Sequence, residues 1–352
     1  MTSHPSVAAK PSNIFRDEHH RPRRGYHIVS LNEESETAPG ARVMSDYPSD
    51  QPAVARSVCA VLVTYHPDAD FPARLARVAS QVGATVVVDN GSSELELGML
   101  RHAVGTAAVG AAAATTLIGN SENLGIARAL NIGVRHAQAQ GHSWALLLDQ
   151  DTLVDTDMVE RLLSIQATCL TARVAAIGSR FRDTRGRTAE PIRLTAEGEH
   201  WEEVESVITS GCLLSLRAYG LVGPFRDDFF IDYVDTEFCF RARAAGFRII
   251  ETLAPLMSHT VGAPTLHTVF GSKTWTSNHS AERRYYIARN NTVLLREYGT
   301  FGRGPWLWKS ITRSFKLTKR IAFFETDKAG KIAAVWQGWR DALRGRMGPR
   351  RG

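Results

Sequence analysis

The chain has 352 residues, enough for one large or two small domains, and its 43% hydrophobic and 22% charged content is that of a globular protein rather than a disordered or fibrous one. Net charge is +6, but Phe301 to Gly352 hold 13 Lys/Arg against 3 Asp/Glu, a local +10, so the rest of the chain is slightly acidic. The four cysteines, Cys59, Cys169, Cys212 and Cys239, form no C-x-x-C pair and read as buried free thiols of a reducing compartment. The N-terminus lacks the apolar core of a signal peptide, and the longest uncharged stretch, Ala103 to Ile118, is shorter than the roughly 20 apolar residues a membrane span needs. The expectation is a cytoplasmic protein without a transmembrane helix.

Residues 1–56 are rich in Pro, Ser, Arg, His and acids and read as a disordered arm. Val58 to Thr64 is a buried strand, and Asp70 to Val82 carries Phe71, Leu75, Val78 and Val82 at close to helical spacing. Ala84 to Val88 is a second buried strand, followed by a helix from Ser93 to about Val104 and a third strand at Thr115 to Ile118. Asn120 to Gly125 turns into a helix bearing Ile126, Leu130 and Val134. Ala145 to Leu148 is a fourth continuous apolar run, the mark of a strand buried on both faces. This alternation within about 95 residues predicts a parallel, doubly wound sheet.

The second half is less regular. It predicts a helix at Thr156 to Cys169 and strands at Val174 to Phe181 and Glu203 to Thr209. Ser210 to Ser215 leads into a short helix stopping at Gly220. Phe229 to Phe238 passes into a helix ending near Gly246, and Phe247 to Leu253 is a strand.

Asp149 and Asp151 stand at the carboxyl end of the fourth strand, where open α/β sheets bind ligands. Two acids so close repel each other unless a positive charge intervenes, and a hard divalent cation with phosphate oxygens is the natural partner. The alternative is an acid pair in a strand-to-helix turn. Asp89 at the end of the second strand can accept the imide N–H of a pyrimidine, or bond its own turn. Together with Thr64, Asn123 and Asp151 it outlines one crevice. Asn123 and Gly125 open a helix whose N–H groups can meet an anion, with Arg128 one turn in; an ordinary Asn-capped helix is the alternative. Asp232, Asp235 and Glu237 lie among Phe229, Phe230, Tyr233 and Phe238 at a helix start, either as caps or with one carboxylate as a general base. His259 follows a strand and suits Mn²⁺ as a third ligand, with His267 and His279 as weaker rivals; a structural histidine is the alternative. In the C-terminal end Trp306, Trp308, Phe315, Phe323, Trp336 and Trp339 interleave with basic residues, a mix suited to a membrane interface or a nucleic-acid face.

Six motifs occur in order: V-x-V-T-Y at 61–65, V-V-D-N-G-S at 87–92, N-x-G-x-x-x-A-x-N-x-G at 123–133, D-x-D at 149–151, F-F-I-D-Y-V-D-x-E at 229–237 and H-x-x-G at 259–262. Together they resemble the family 2 glycosyltransferases of the GT-A fold, and within them the bacterial rhamnosyltransferases of surface polysaccharide synthesis. The resemblance covers about residues 58–298. It implies an α/β fold with a Rossmann-like, mostly parallel sheet and helices on both faces and residues 57–298 as the catalytic domain; the charge and aromatic residues of the end add a helical, basic, amphipathic C-terminal extension at 299–352. It implies a nucleotide-sugar donor, most readily dTDP-rhamnose or another dTDP- or UDP-sugar, and inversion at the anomeric carbon. Carried over, Thr64, Tyr65, Asp89, Asn123, Gly125 and Arg128 hold the nucleotide. Asp149, Asp151 and His259 hold Mn²⁺ or Mg²⁺, and Asp235 is the base. Relatives carry Glu-Asp where this chain has Val234-Asp235, and Asp232 is an extra acid that competes for the role. The acceptor expected is a saccharide or a lipid-linked saccharide at the inner face of the plasma membrane, with no nucleic acid. A nucleotidyltransferase would want a Gly-rich, basic loop after the first strand, where Tyr65-His-Pro-Asp68 stands. A nucleic-acid binder would leave the ordered acids unexplained.

Overall fold

The structure is a computed structural model and describes residues 54–110, 114–169, 173–183, 200–259, 265–269, 272–298, 312 and 318–351. The arm expected at 1–56 lies outside them up to residue 53, as do Trp306, Trp308 and Phe315. The first half folds as strand–helix repeats: β1 (Val58–Thr64), α1 (Phe71–Ala79), β2 (Ala84–Asp89), α2 (Glu94–Gly110), β3 (Ala114–Gly119), α3 (Ile126–Ala139) and β4 (Trp144–Asp149). Every residue of β1 is buried, as the unbroken apolar run requires of a strand covered on both faces. Phe71, Leu75 and Val78 of α1 close one face of the core against Leu146 and Leu148.

β3, β2, β1 and β4 lie side by side and pair in parallel. Chain order reverses between β1 and β4, so a topological switch point opens at their carboxyl ends. Register sets the residues around it: Thr64 pairs with Asp89, and Val63 with Asp149.

Beyond β4 come β5 (Leu153–Val154), α4 (Met158–Thr168), β6 (Val174–Asp183), β7 (Trp201–Glu203), β8 (Cys212–Ser215), α5 (Leu216–Val222), α6 (Val234–Ala244) and β9 (Arg248–His259). The sheet continues β4-β8-β6-β9-β5. Its pairing is now mixed: β8 runs antiparallel to β4 and β6, β6 runs parallel to β9, and β5 and β7 pair antiparallel with β9.

Several expectations change here. The strand read at 203–209 ends at Glu203, because Val207 packs its side chain across Gly178 of β6 instead of joining the ladder. The helix read as stopping at Gly220 runs to Val222 and is closed by left-handed Gly223. His259 does not follow a strand but ends one, since β9 continues through Pro255 to pair with β5. A hairpin of β10 (Thr265–Val269) and β11 (Ser272–Thr276) was not anticipated.

α7 (Ala281–Tyr298) and α8 (Lys328–Leu343) then pack on each other. Gly338 brings the two helices close, for a Cβ there would stand 2.5 Å from the Tyr285 carbonyl oxygen. Arg284, Glu325 and Lys331 are all buried at this junction and joined as one ion-pair group, in which Arg284 bonds Glu325 and Lys331 reaches it at 3.0 Å.

Candidate active site

The D-x-D turn is built by its own middle residue. Gln150 accepts from the Tyr65 amide at 2.7 Å and donates to the Tyr65 carbonyl at 3.0 Å, so the segment after β1 is tied to the segment after β4. Arg74 on α1 adds a 2.7 Å bond to the Gln150 carbonyl. β5 follows at once and pairs with the end of β9, which carries His259 to the two acids.

The His259 Nδ1 is 3.3 Å from Asp151 and its Nε2 is 3.8 Å from Asp149. One ligand atom from each of the three residues falls within 4.8 Å of the others. A shell of hydroxyls fixes them: Thr152 Oγ1 is 3.0 Å from His259 Nδ1, Ser210 Oγ is 2.5 Å from Thr152 Oγ1, and the Asp149 amide donates to Ser210 Oγ at 3.2 Å. Burial pushes the Asp149 carboxyl up, with Asp151 adding to it and His259 opposing. Burial acts the same way on Asp151, but His259 outweighs it and holds that carboxyl low. Burial disfavours the imidazolium of His259, yet the bond to Asp151 and the charge of Asp149 lift its pKa above the ordinary range. The three groups share one demand, a positive charge between two acids, and this donor set fits a divalent cation.

On the other side of the switch point Asp89 is fully buried. It accepts from Thr64 Oγ1 at 3.0 Å, from the Gly91 and Ser92 amides at 3.2 and 2.9 Å, and from Ser92 Oγ at 2.6 Å. Its acceptor positions are thus engaged by its own crevice wall, and an imide N–H would have to take the place of the Ser92 hydroxyl. Asn123 Oδ1 accepts from Asn90 Nδ2 at 3.0 Å and from the Gly125 amide at 2.9 Å, which joins the loops after β2 and β3. Gly125 has φ +83°, and a Cβ there would lie 2.6 Å from the Phe230 ring, so glycine lets the start of α3 meet the loop before α6. Arg128 stands exposed one turn into α3. Asn131, further along the helix, is buried and bonds Tyr219, Phe225 and Asp227, tying α3 to the chain that leads to Asp235.

Asp235 lies in the first turn of α6. Its Oδ1 accepts from the Thr236 amide at 2.7 Å and hydroxyl at 3.2 Å. Burial, with the charges of Asp232 and Asp149 behind it, raises its carboxyl to about 6. Asp232 is not helical: it has φ +65°, two residues before the helix, and does not share a helical face with Asp235. Its carboxylate receives the fork of Arg283, from Nη2 at 3.1 Å and from Nε at 3.2 Å. Glu237 is buried, paired with Arg241 at 2.8 Å and bonded by the Tyr298 hydroxyl, so it serves the fold.

Sequence reasoning missed Gln150, Thr152, Ser210, Arg283 and Asn290. Gln150 and Thr152 adjoin the acid pair and had that proximity as a signal. The other three are brought in by chain distant in sequence.

Comparison with known proteins agrees with this geometry. Residues 59–220 match Glycosyl transferase family 2. The dTDP-rhamnosyl transferase RfbF of Shigella flexneri is 29% identical over 252 residues, covering 68% of this chain and 80% of that protein. Galactofuranosyltransferase GlfT1 of Mycolicibacterium smegmatis is 27% identical over 286 residues, 75% of this chain and 91% of that protein. Among solved structures, the mannosyltransferase PcManGT from Pyrobaculum calidifontis, in complex with GDP-Man and Mn²⁺, superposes with a TM-score of 0.50 at 17% identity, over 87% of this chain and 91% of that one. The fold is therefore α/β of the GT-A kind. Residues 59–220 match the family 2 glycosyltransferases, and the chain as a whole is similar to curated glycosyltransferases, a dTDP-rhamnosyl transferase among them.

Proposed function

We propose that this enzyme moves rhamnose from dTDP-rhamnose to a saccharide or lipid-linked acceptor, with inversion. The observation that carries the reading is the Asp149–Asp151–His259 group at the carboxyl end of β4, close enough to Asp235 for the charge of Asp149 to act on it. The likeness to a dTDP-rhamnosyl transferase supports the choice of donor.

In this reading the nucleotide lies along the loops carrying Thr64, Tyr65, Asp89, Asn123 and Gly125, with Arg128 facing its phosphates. Asp149, Asp151 and His259 would hold Mn²⁺ or Mg²⁺, which when bound neutralises charge on the leaving diphosphate. The acceptor hydroxyl attacks the anomeric carbon from the side opposite the diphosphate. Its proton passes to a carboxylate oxygen of Asp235, the new C–O bond forms, and the bond to the diphosphate breaks with its electron pair. A single displacement inverts the centre and needs one base. Asp232, held by the fork of Arg283, orients the acceptor or the loop rather than taking the proton.

The test is a donor screen with purified protein, Mn²⁺ or Mg²⁺ and a panel of dTDP-, UDP- and GDP-sugars, scoring slow release of nucleoside diphosphate. dTDP-rhamnose is expected to turn over fastest. Faster turnover of a GDP-sugar, or tighter binding of GDP than of dTDP and UDP in calorimetry, rejects the donor assignment.

A further inference from the structure

We infer that Asn290 on α7 is a positioning residue for the reaction, holding the backbone of residues 229–232 in the left-handed turn that delivers Asp235 to the crevice. The turn is unfavourable by itself. Phe230, Asp232 and Tyr233 have φ of +64°, +65° and +63°, a region that residues with a side chain avoid. Three such residues within four persist only if the surroundings hold them.

The holding group is visible. The Asn290 Nδ2 lies 2.9 Å from each of the Phe229, Ile231 and Asp232 carbonyl oxygens, its two N–H groups serving three acceptors with one hydrogen shared. Its Oδ1 accepts from Arg289 Nε at 2.9 Å, which orients the amide so that the nitrogen faces the turn. Arg289 extends the grip, its Nη2 donating to the Asp228 and Phe229 carbonyls at 3.0 Å each. Two adjacent residues of one helix thus satisfy carbonyls that the left-handed path turns away from any ladder. Asn290 is 0% exposed, so it cannot touch donor or acceptor and acts only through the turn. It also lies outside the segment 59–220 that matches the family, so the grip on the base comes from chain beyond that match.

The consequence follows from geometry. Tyr233 is the residue from which α6 starts, and Asp235 sits one residue inside that helix. If the turn relaxes, the start of α6 swings and the carboxylate leaves the line of attack. A displacement of about 1 Å at a reacting group costs on the order of 100-fold in rate. The donor loops at the ends of β1 and β2 stay in place, and only the start of α3, at Gly125, touches the turn through Phe230. This inference rests on Asp235 being the base.

The experiment compares wild type with Asn290→Ala, and runs Asp235→Asn alongside. In Asn290→Ala, kcat is expected to fall about 100-fold while donor KM, which the turn reaches only through Gly125, rises about 5-fold at most. Hydrogen exchange is expected to quicken in peptides covering 229–238 and to stay unchanged in those covering 58–64. Adding Tyr233→Gly, which takes the left-handed conformation without a Cβ, is expected to return at least about 10-fold of the lost kcat. If Asn290→Ala does not fold, Asn290→Ser, which retains one donor, is expected to give a smaller kcat loss with a KM change of about 5-fold at most. Unchanged exchange in 229–238 overturns the inference. So does quickened exchange with wild-type kcat, and so does a loss of kcat matched by a rise in KM and quickened exchange throughout. Asp235→Asn separates the two readings: near wild-type transfer in that variant rejects the base, while the exchange measurement still decides whether Asn290 holds the turn.

Discussion

As the proposed base, Asp235 needs two opposed properties, ionisation at working pH and enough basicity to take a proton. Burial supplies the second by lifting the carboxyl to about 6, while the Thr236 amide and hydroxyl keep the first within reach. The sign is fixed by the role. A base works only when ionised, so kcat is expected to be level above about pH 7 and to fall tenfold per unit below about 6. An acidic limb centred near 4 in a pH-rate profile contradicts this. Asp235→Asn keeps the shape and removes the base, and is expected to abolish transfer while calorimetry still records donor binding; full transfer by Asp235→Asn with loss in Asp232→Asn moves the role to Asp232. The Asp149–Asp151–His259 group is the proposed metal site. EDTA is expected to stop turnover, with recovery on adding Mn²⁺ or Mg²⁺. Ser210→Ala, which breaks the hydroxyl chain to His259, is expected to weaken Mn²⁺ binding about 10- to 100-fold by titration. The acids and His259 were legible in the sequence because each stands beside a strand end and belongs to a chemical type that metals need. Asn290 was not, because an asparagine inside a helical stretch says nothing of which carbonyls it will meet.

At the scale of elements, legibility divides at β4. β1, β2 and β4 announce themselves as short apolar runs separated by helices, and a parallel strand buried on both faces has no other way to look, whereas β3 at the sheet edge is only half-buried. β8 does not, and β9 does so only as far as Leu253, because their neighbours are fixed by pairing over long sequence distances: β8 inserts between β4 and β6, and β9 runs on to reach β5. The helices behind the site are the element most open to test. Gly338 has no room for a side chain against the Tyr285 carbonyl, and α7, which carries Tyr285, also carries Arg283 and Asn290. Gly338→Val is expected to force α8 outward at a cost of about 1–3 kcal/mol, lowering the melting temperature by several degrees. Through α7 it is expected to lower kcat more than donor affinity. A melting temperature equal to wild type shows that the two helices do not need this contact.

For the whole molecule the asymmetry of charge is the leading fact, a local +10 in the last 52 residues of a chain whose remainder is slightly acidic. No helix among the described residues is long and apolar enough to cross a membrane. Large apolar side chains nevertheless face solvent in the C-terminal part: Phe323 is 71% exposed, Trp336 64% and Leu343 67%. Trp336 and Leu343 lie seven residues apart on α8 and so share a face, which Arg340 also borders. Basic residues near an anionic leaflet contribute about 1 kcal/mol each, and inserted aromatic rings add apolar contact, which together suit docking on a lipid surface where a lipid-linked acceptor would wait. Removing the whole extension is a poor test of this. α8 covers α7, and the Gly348 amide bonds the Asp228 carbonyl at 2.8 Å beside the base turn, so truncation would disturb the site as well as the surface. The substitutions Phe323→Ser, Trp336→Ser and Leu343→Ser alter only exposed side chains. Combined, they are expected to abolish sedimentation with vesicles rich in anionic lipid while leaving the melting temperature and transfer to a soluble acceptor near wild type. Sedimentation of the wild type is expected to weaken as salt screens the basic residues. Equal sedimentation of wild type and triple variant rejects this face as the docking surface.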